Sequence, residues 1–283
     1  MKLSSRILLK AAQLSPYGHW KIVALAAKND SALWDHSIPL KTVPGGNLRA
    51  DLREPVYTQF LRHGCIPHQE AADELLSKLI CEGDFVLDIG ANIGYLSILF
   101  CHFTGEAGKV IALEPSPRSF QQLQRNTAFN ERIKSLNIAI SNSAGQLPFM
   151  ETDCLERSSL ETVQAPAHTI RVEAMRLDDL CAQYGNPDFI KIDVEGHEYA
   201  VFEGAQNLLG STKRPLIYFE ALDHTSLEQC VQTLQHLSNH SFTIYRLSKQ
   251  AKLLPWQHPG GLNDFLAVPP ERRHQIHSAL QAP

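Results

Sequence analysis

The chain has 283 residues, 43% of them apolar and 20% charged, with 26 Lys and Arg against 30 Asp and Glu and a formal net charge of −4. That length fits one large domain, or one domain with an N-terminal addition. The charge balance disfavours a nucleic-acid partner, because the cations neither outnumber the acids nor cluster in runs. Six cysteines (Cys65, Cys81, Cys101, Cys154, Cys181 and Cys230) lie far apart with no Cys-x-x-Cys pair. No disulfide framework or zinc site is indicated, and a reducing cytoplasm is the expected compartment.

Residues 1 to about 45 read as two short amphipathic helices split at Pro16 and ended by Pro44-Gly45-Gly46-Asn47. Lys10 interrupts the first apolar run. The stretch Ile22 to Ala27 falls far short of the roughly 20 apolar residues that span a bilayer, so no membrane span is expected and the chain reads as soluble. This helical extension, 1–47, is expected to pack on a main domain, 48–283; membrane-surface binding, a dimer arm and an active-site lid are the alternatives. Leu48 to Phe60 reads as a strand or hairpin. Pro67 then opens a helix to Ile80, with Glu70, Asp73 and Glu74 in its first turns.

Beyond it strands and helices alternate: strand 85–89, helix 95–103, strand 109–113, helix 117–128 and strand 135–140. A polar hairpin-like insertion over 144–175 ends in the strand Thr169 to Ala174. There follow helix 178–184, strand 188–192, helix 197–209 closed by Gly210, strand 215–219, helix 226–238, strand 241–247, strand 264–268 and a basic helix near 271–280. Strands separated by helical patterns predict an α/β fold, a mostly parallel sheet with helices on both faces. Such sheets bind ligands outside the carboxyl ends of their strands. Asp88, Glu114, Asp193 and Glu220 all fall at predicted strand ends.

The first of these ends is the most specific. Asp84-Phe-Val-Leu-Asp-Ile-Gly-Ala-Asn-Ile-Gly-Tyr95 reads as a buried strand, a tight turn from Gly90 to Gly94 and a helix start. The helix directs unpaired N–H groups and a positive dipole end at whatever occupies the turn. A dinucleotide site would carry Gly-x-Gly-x-x-Gly, but Ala91 and Asn92 stand where another glycine belongs. A pyrophosphate is also disfavoured beside Asp88, since like charges repel in a partly dry site. S-adenosylmethionine (SAM), with a sulfonium and an ammonium group and no phosphate, fits Asp88 better. Glu114, at the tip of the next strand, is placed to accept both ribose hydroxyls, although dehydrogenases share that acid.

Several segments together resemble the FkbM family of SAM-dependent methyltransferases. They are Val86-Leu-Asp-Ile-Gly-Ala-Asn-Ile-Gly-Tyr95, Val110-Ile-Ala-Leu-Glu-Pro115, Asn137-Ile-Ala-Ile-Ser141, Arg176-Leu-Asp-Asp-Leu180, Phe189-Ile-Lys-Ile-Asp-Val-Glu-Gly-His-Glu198 and Asn263-Asp-Phe-Leu-Ala267. The resemblance covers about residues 48 to 270. It implies a Rossmann-like class I methyltransferase fold, a seven-stranded mostly parallel sheet with an antiparallel final strand, and O-methylation of a natural product or sugar. It places Asp88, Gly90, Ala91, Asn92 and Gly94 around the methionine portion of SAM. Glu114 would hold the ribose, Pro115 and Ser116 would follow the adenosine, and Asn137, Ile138 and Ala139 would flank the adenine. Asp193 would face the sulfonium and the acceptor. Glu70 stands roughly where the family carries an acid after a glycine, but its local spacing departs from that pattern.

In-line methyl transfer needs an aligned acceptor, excluded water and, for a hydroxyl, removal of a proton. Alignment supplies up to roughly 7–11 kcal/mol, a general base about 10²–10⁴-fold. Asp193, Glu195 and His197 are the candidate bases and acceptor-side groups; His197 lies at a helix start whose dipole favours the neutral, base-competent ring. Each also has a plainer reading: Asp193 orients the cofactor, Glu195 caps a helix, and His197 is a solvated helix-start residue. Asp193, Glu195, His197, Glu220, Asp223 and His224 would suit a hard cation, but no spacing gathers them and no metal is expected. The expected partner is a small-molecule or natural-product acceptor, a sugar or polyketide hydroxyl above all. A carboxylate acceptor giving a methyl ester is the alternative within the class. An NAD-dependent oxidoreductase and a non-catalytic SAM-binding module are the alternatives outside it. Tyr57, His63, His68 and Arg157 are further candidates for the acceptor pocket.

Overall fold

Runs of Val, Ile, Leu and Phe bounded by Gly, Asp or Pro favour strands buried on both faces, whereas longer segments with apolar residues three and four apart favour helices. The computed structural model describes residues 1–14, 19–54, 56–66, 69–152, 167–236, 242–257 and 263–280. Its N-terminal part comprises helices α1 (Leu3–Leu14) and α2 (His19–Asn29), the antiparallel pair β1 (His36–Pro39) and β2 (Asn47–Ala50), and helix α3 (Phe60–His63). Strand β1, with its Pro and His, lacks the composition that signals a strand. The division expected between 47 and 48 falls inside the β1–β2 pair. A helical turn over Val56–Gln59 and α3 replace the strand expected up to Phe60.

The alternation begins with α4 (Glu70–Leu79), β3 (Phe85–Ile89), α5 (Tyr95–Phe103), β4 (Lys109–Leu113), α6 (Pro117–Thr127) and β5 (Ile133–Leu136). The single strand expected over 135–140 divides into β5 and β6 (Ala139–Ser141). Asn137 causes the break: its amide donates to the carbonyls of Glu114 (2.8 Å) and Pro115 (3.0 Å), turning the chain away from the main sheet. Strand β6 joins the hairpin β7 (Gly145–Thr152) and β8 (Ala167–Arg176) in a separate three-stranded sheet.

Next come α7 (Leu177–Tyr184), β9 (Phe189–Ile192), α8 (Glu198–Glu203) and α9 (Gln206–Leu209). The helix expected over 197–209 is broken in two. The Asp178 carboxylate accepts the N–H groups of Asn207 (2.9 Å) and Leu208 (3.0 Å) and so starts α9 separately. Gly204 at the break lies so close to β6 that a Cβ there would sit 2.2 Å from the Ser141 carbonyl oxygen. The chain continues through β10 (Leu216–Glu220), α10 (His224–His236), β11 (Thr243–Leu247), β12 (Leu253–Pro255), β13 (Asp264–Val268) and α11 (Arg273–Leu280).

The main sheet runs β12-β11-β13-β10-β9-β3-β4-β5. Strands β10, β9, β3, β4 and β5 are parallel, and β13 enters antiparallel between β10 and β11. The expected seven strands are present, and the short β12 extends the edge by an eighth. Apolar clusters cover both faces of the sheet. A third cluster joins Leu9, Val23 and Ala27 of the N-terminal helices to Tyr57, Phe60, Ile93, Tyr95 and Leu99, so the extension packs on the main domain. Cys65, Cys81, Cys101, Cys181 and Cys230 are free thiols, and Cys154 lies outside the described residues. Among the described residues no helix is long and apolar enough to cross a membrane.

Candidate active site

The carboxyl ends of β3, β4, β9 and β10 open onto one cavity of about 310 Å³. Its wall includes Gly90, Ala91, Asn92, Glu114, Pro115, Ile138, Ala139, Asp193, Glu195 and His197, ten of the residues singled out from sequence. Tyr57, Phe60, Gln69, Tyr95, Phe149, Lys191 and Glu220 complete much of the rest. The two halves of the sequence reading therefore meet at a single place.

Gly90 turns the chain at φ 77°, and a Cβ there would lie 1.8 Å from the Asp193 carbonyl oxygen; only glycine allows β3 and β9 to end this close together. Its N–H and that of Ala91 both donate to the Leu113 carbonyl at 2.9 Å, tying the turn to β4. Asn92 sits at φ 50°, a left-handed conformation that Asn tolerates, and its Oδ1 accepts from the Tyr57 hydroxyl at 2.7 Å. Glu114 accepts the N–H of Asn92 (2.8 Å) and of Ser116 (2.9 Å). A carboxylate has about four lone-pair sites, so capacity for two further donors remains. Burial pushes the Glu114 carboxyl up to about 7 despite those two N–H groups.

Four expected cofactor residues stand off the cavity wall. Asp88 is fully buried and does not face the cavity. The β3–β9 register sets it opposite Lys191, whose Nζ lies 3.4 Å away, and Ser97 Oγ donates to its other oxygen. The cation read into the sequence as a ligand is thus met first by the protein's own lysine. Gly94, at φ 91°, packs toward Leu123 at the start of α5. Ser116 starts α6, accepting the Ser119 N–H and donating to Glu151 at 2.6 Å. Asn137 braces the β4 turn from behind. Glu70 is exposed and paired with Lys41 at 2.7 Å on the surface, away from the cavity wall. His68 and Arg157 lie outside the described residues.

Sequence reasoning missed Lys191. Its ammonium is buried and donates to the Gly90 carbonyl at 2.8 Å while lying 3.3 Å from Asp193 and 3.4 Å from Asp88. Burial opposes its charge, but the Asp193 and Asp88 carboxylates more than offset that and hold its pKa above the usual lysine range. The available signal was a charged residue in the middle of Phe-Ile-Lys-Ile, a strand buried on both faces, where a lysine persists only if paired.

Glu220 ends β10 directly opposite Asp264, the first residue of the antiparallel β13. Burial, then Asp193, Asp264 and Glu195, push its carboxyl up to about 8, with Lys191 acting in the opposite sense. Burial also raises Asp264, which accepts the Tyr218 hydroxyl at 2.6 Å. Asp264 belongs to the segment Asn263–Ala267 of the sequence resemblance, which gave it no role; because β13 is antiparallel, its first residue rather than its last reaches this edge.

Glu195 and Gly196 form the turn after β9, both at positive φ. Glu198, not Glu195, secures it: one Glu198 oxygen accepts the N–H groups of Val194 (3.2 Å) and Gly196 (3.1 Å). Burial pushes the Glu198 carboxyl up to about 7. Glu195 is left to face the cavity. His197 lines the wall beside it, its Nε2 2.9 Å from Ser141 Oγ. Asp223 accepts the Ser226 N–H, and His224 lies 3.4 Å from Glu228. Among the described residues no group of three or more His, Cys, Asp or Glu is arranged to hold a metal ion.

Five parallel strands, an antiparallel strand inserted beside the last of them, and a ligand-sized cavity at their carboxyl edge define a class I methyltransferase fold. Residues 88–245 match the Methyltransferase FkbM domain, and the chain belongs to that family. It is 30% identical over 155 residues to methyltransferase sdnD of Sordaria araneosa, covering 42% of this chain and 60% of that one. It is 28% identical to the 2-O-methyltransferase NoeI of Sinorhizobium fredii, covering 55% and 70%. It is 27% identical to the hexuronic acid methyltransferase AglP of Haloferax volcanii, covering 50% and 57%. Two of these matches thus span less than two thirds of the relative's length. Among solved structures, the O-methyltransferase from Bacillus cereus aligns with 72% of this chain and 81% of its own at 16% identity and a TM-score of 0.42.

Proposed function

We propose that this chain is a SAM-dependent O-methyltransferase whose acceptor is a hydroxyl of a small molecule, a sugar or related natural product. The observation that carries the reading is one cavity whose wall brings together a glycine turn, a ribose-type acid and the group Asp193, Glu195, His197 and Glu220, within an FkbM domain. The named activities of NoeI and AglP agree with a sugar acceptor.

The residues present fit SAM. Glu114 keeps acceptor capacity for two ribose hydroxyls, and the turn Gly90–Asn92 brings backbone close to the methionine end. Ile138 and Ala139 give an apolar wall for the adenine, with Pro115 alongside. Asp193 and Glu195 of the wall would face the positive centre of a bound SAM, with Lys191 as a cation beside them. SAM supplies an electrophilic methyl group on that positive centre. Asp88 contributes indirectly, by fixing Lys191 and through it the Gly90 carbonyl.

On the acceptor side the roles divide by charge. Asp193 is held in an ion pair with Lys191 and suits orientation. Glu220, near 8, is largely protonated at neutral pH and can donate a hydrogen bond to the acceptor. His197 takes the hydroxyl proton at its ring nitrogen. A carboxylate acceptor would meet this acidic wall at an electrostatic disadvantage, which favours the hydroxyl. The test is transfer of labelled methyl from SAM to a panel of sugars and their uronic acids. Label on hydroxyl-bearing sugars, strongly reduced by His197→Gln, is the expected outcome. Label confined to uronic acids, indifferent to His197→Gln, would replace the hydroxyl reading with methyl-ester formation.

A further inference from the structure

Helix α1 is apolar on two opposite faces, and the fold uses only one. Leu9 and Ala12 are buried in the cluster that also holds Val23, Ala26 and Ala27 of α2. On the other side Leu3 is 74% exposed, Ile7 60% and Leu14 84%. At about 100° per residue these three fall within about 40° of one another, a single stripe along the helix. Leu25 of α2 is a further exposed apolar residue, at 56%. Single exposed leucines need no explanation, but a stripe aligned along one helix does.

The charge around the stripe is of one sign. Residues 1–29 contain five Lys and Arg (Lys2, Arg6, Lys10, Lys21 and Lys28) and no Asp or Glu, in a chain where acids outnumber cations overall. All five are exposed, and the Lys2 ammonium donates to the Asn29 carbonyl. The first acid, Asp30, is buried, accepting the N–H groups of Lys2 (2.5 Å) and Ala32 (3.1 Å). An apolar stripe bordered by cations is the pattern of a helix lying in the plane of an anionic interface.

We propose that the outer face of α1 and α2 docks this protein on the surface of an anionic lipid bilayer, with Leu3, Ile7 and Leu14 entering the headgroup boundary and the exposed cations beside them, Arg6 and Lys10 above all, facing lipid phosphates. A second copy of the chain fits this face less well. A two-fold contact would set Arg6 and Lys10 against their own counterparts, like charge against like. The docked face and the cavity share one packed unit, because the buried side of α1 lies in the same cluster as Tyr57 and Phe60 of the cavity wall. A docked molecule would therefore hold its cavity in a fixed relation to the lipid surface.

The experiment is flotation of the full chain with vesicles of phosphatidylcholine alone or mixed with phosphatidylglycerol, alongside light scattering without lipid. The expected result is co-flotation with the anionic vesicles only, released by added salt as the charges are screened. Ile7→Gln with Leu14→Gln should abolish it. Arg6→Gln and Lys10→Gln should each weaken it about fivefold, the effect of one surface cation. Both apolar positions are exposed, so the variants should keep the parent melting temperature, which is checked in parallel. Failure to float with anionic vesicles, or flotation indifferent to the stripe variants, overturns the proposal. So does a dimer in light scattering that the stripe variants dissociate without any lipid binding.

Discussion

The two halves of the sheet's carboxyl edge treat their acids differently. Beside β3 and β4, Asp88 and Glu114 are held by donors within the protein: a lysine and a serine for one, two backbone N–H groups for the other. Beside β9, β10 and β13, Asp193, Glu220 and Asp264 crowd one another over a single ammonium, and Glu195 adds a further charge. The first half ties its acids to fixed donors, although burial still raises Glu114. The second stores unfavourable charge that protons offset at neutral pH and that a cationic ligand would relieve. Lys191 links the two by touching Asp88, the Gly90 carbonyl and Asp193 at once.

Breaking that link should have the largest effect. Lys191→Met leaves Asp88 buried with only Ser97 as partner, and loss of one member of a buried pair costs about 3–5 kcal/mol. Denaturant unfolding should register that loss, and Asp88→Asn in the same chain should recover much of it. A loss below about 1 kcal/mol would mean the link carries little. On the acceptor half, His197→Gln should lower kcat roughly hundredfold, the low end for a general base, because alignment supplies more of the barrier lowering. Melting temperature should hold steady; an unchanged kcat would remove His197 from the chemistry. Gly90→Ala tests the glycine turn itself. Its Cβ would meet the Asp193 carbonyl, so a stability loss of about 1–3 kcal/mol together with weakened SAM binding is expected. An alanine variant as stable as the parent would show that β3 and β9 can part without cost.

The last effect is a slope in pH. Burial above all pushes Asp73, Glu114 and Glu198 up to about 7 and Glu220 to about 8. Each binds its proton more tightly in the folded chain than in the unfolded one. Their contribution to stability is therefore complete at acid pH and declines as pH rises from about 4 to about 8. Glu271, lowered to about 2 chiefly by Arg214 against its burial, acts in the opposite sense and only below that window. Unfolding measured at stepped pH should show the decline, with its upper part flattened in Glu220→Gln. Stability that rises through the window would contradict the crowded-acid description.

What was legible in the sequence follows the same division. Strands 85–89, 109–113 and 264–268 and helix 95–103 appear with the predicted ends, because apolar runs closed by Gly, Asp or Pro carry their own boundaries. The elements that differ are those shaped by distant partners. Asn137 splits a strand by reaching back to β4, and Asp178 splits a helix from α7. Asp88 is expected beside the cofactor, whereas its carboxylate is buried against Lys191 and Ser97. Sequence order cannot say which strand lies beside β3, and so could not reveal that Lys191, 103 residues later, already meets that charge. Asp264 lies on the expected antiparallel strand, but its place opposite Glu220 depends on register, which only the assembled sheet fixes.

The central claim is that this edge holds SAM by its β3–β4 half. Calorimetric titration of SAM and S-adenosylhomocysteine into the wild type and Glu114→Ala, with NAD as control, tests it most directly. Saturable binding of both to the wild type, lost in Glu114→Ala and absent for NAD, is the result this account predicts. Binding of NAD in place of SAM, or SAM binding that Glu114→Ala leaves unchanged, would contradict it.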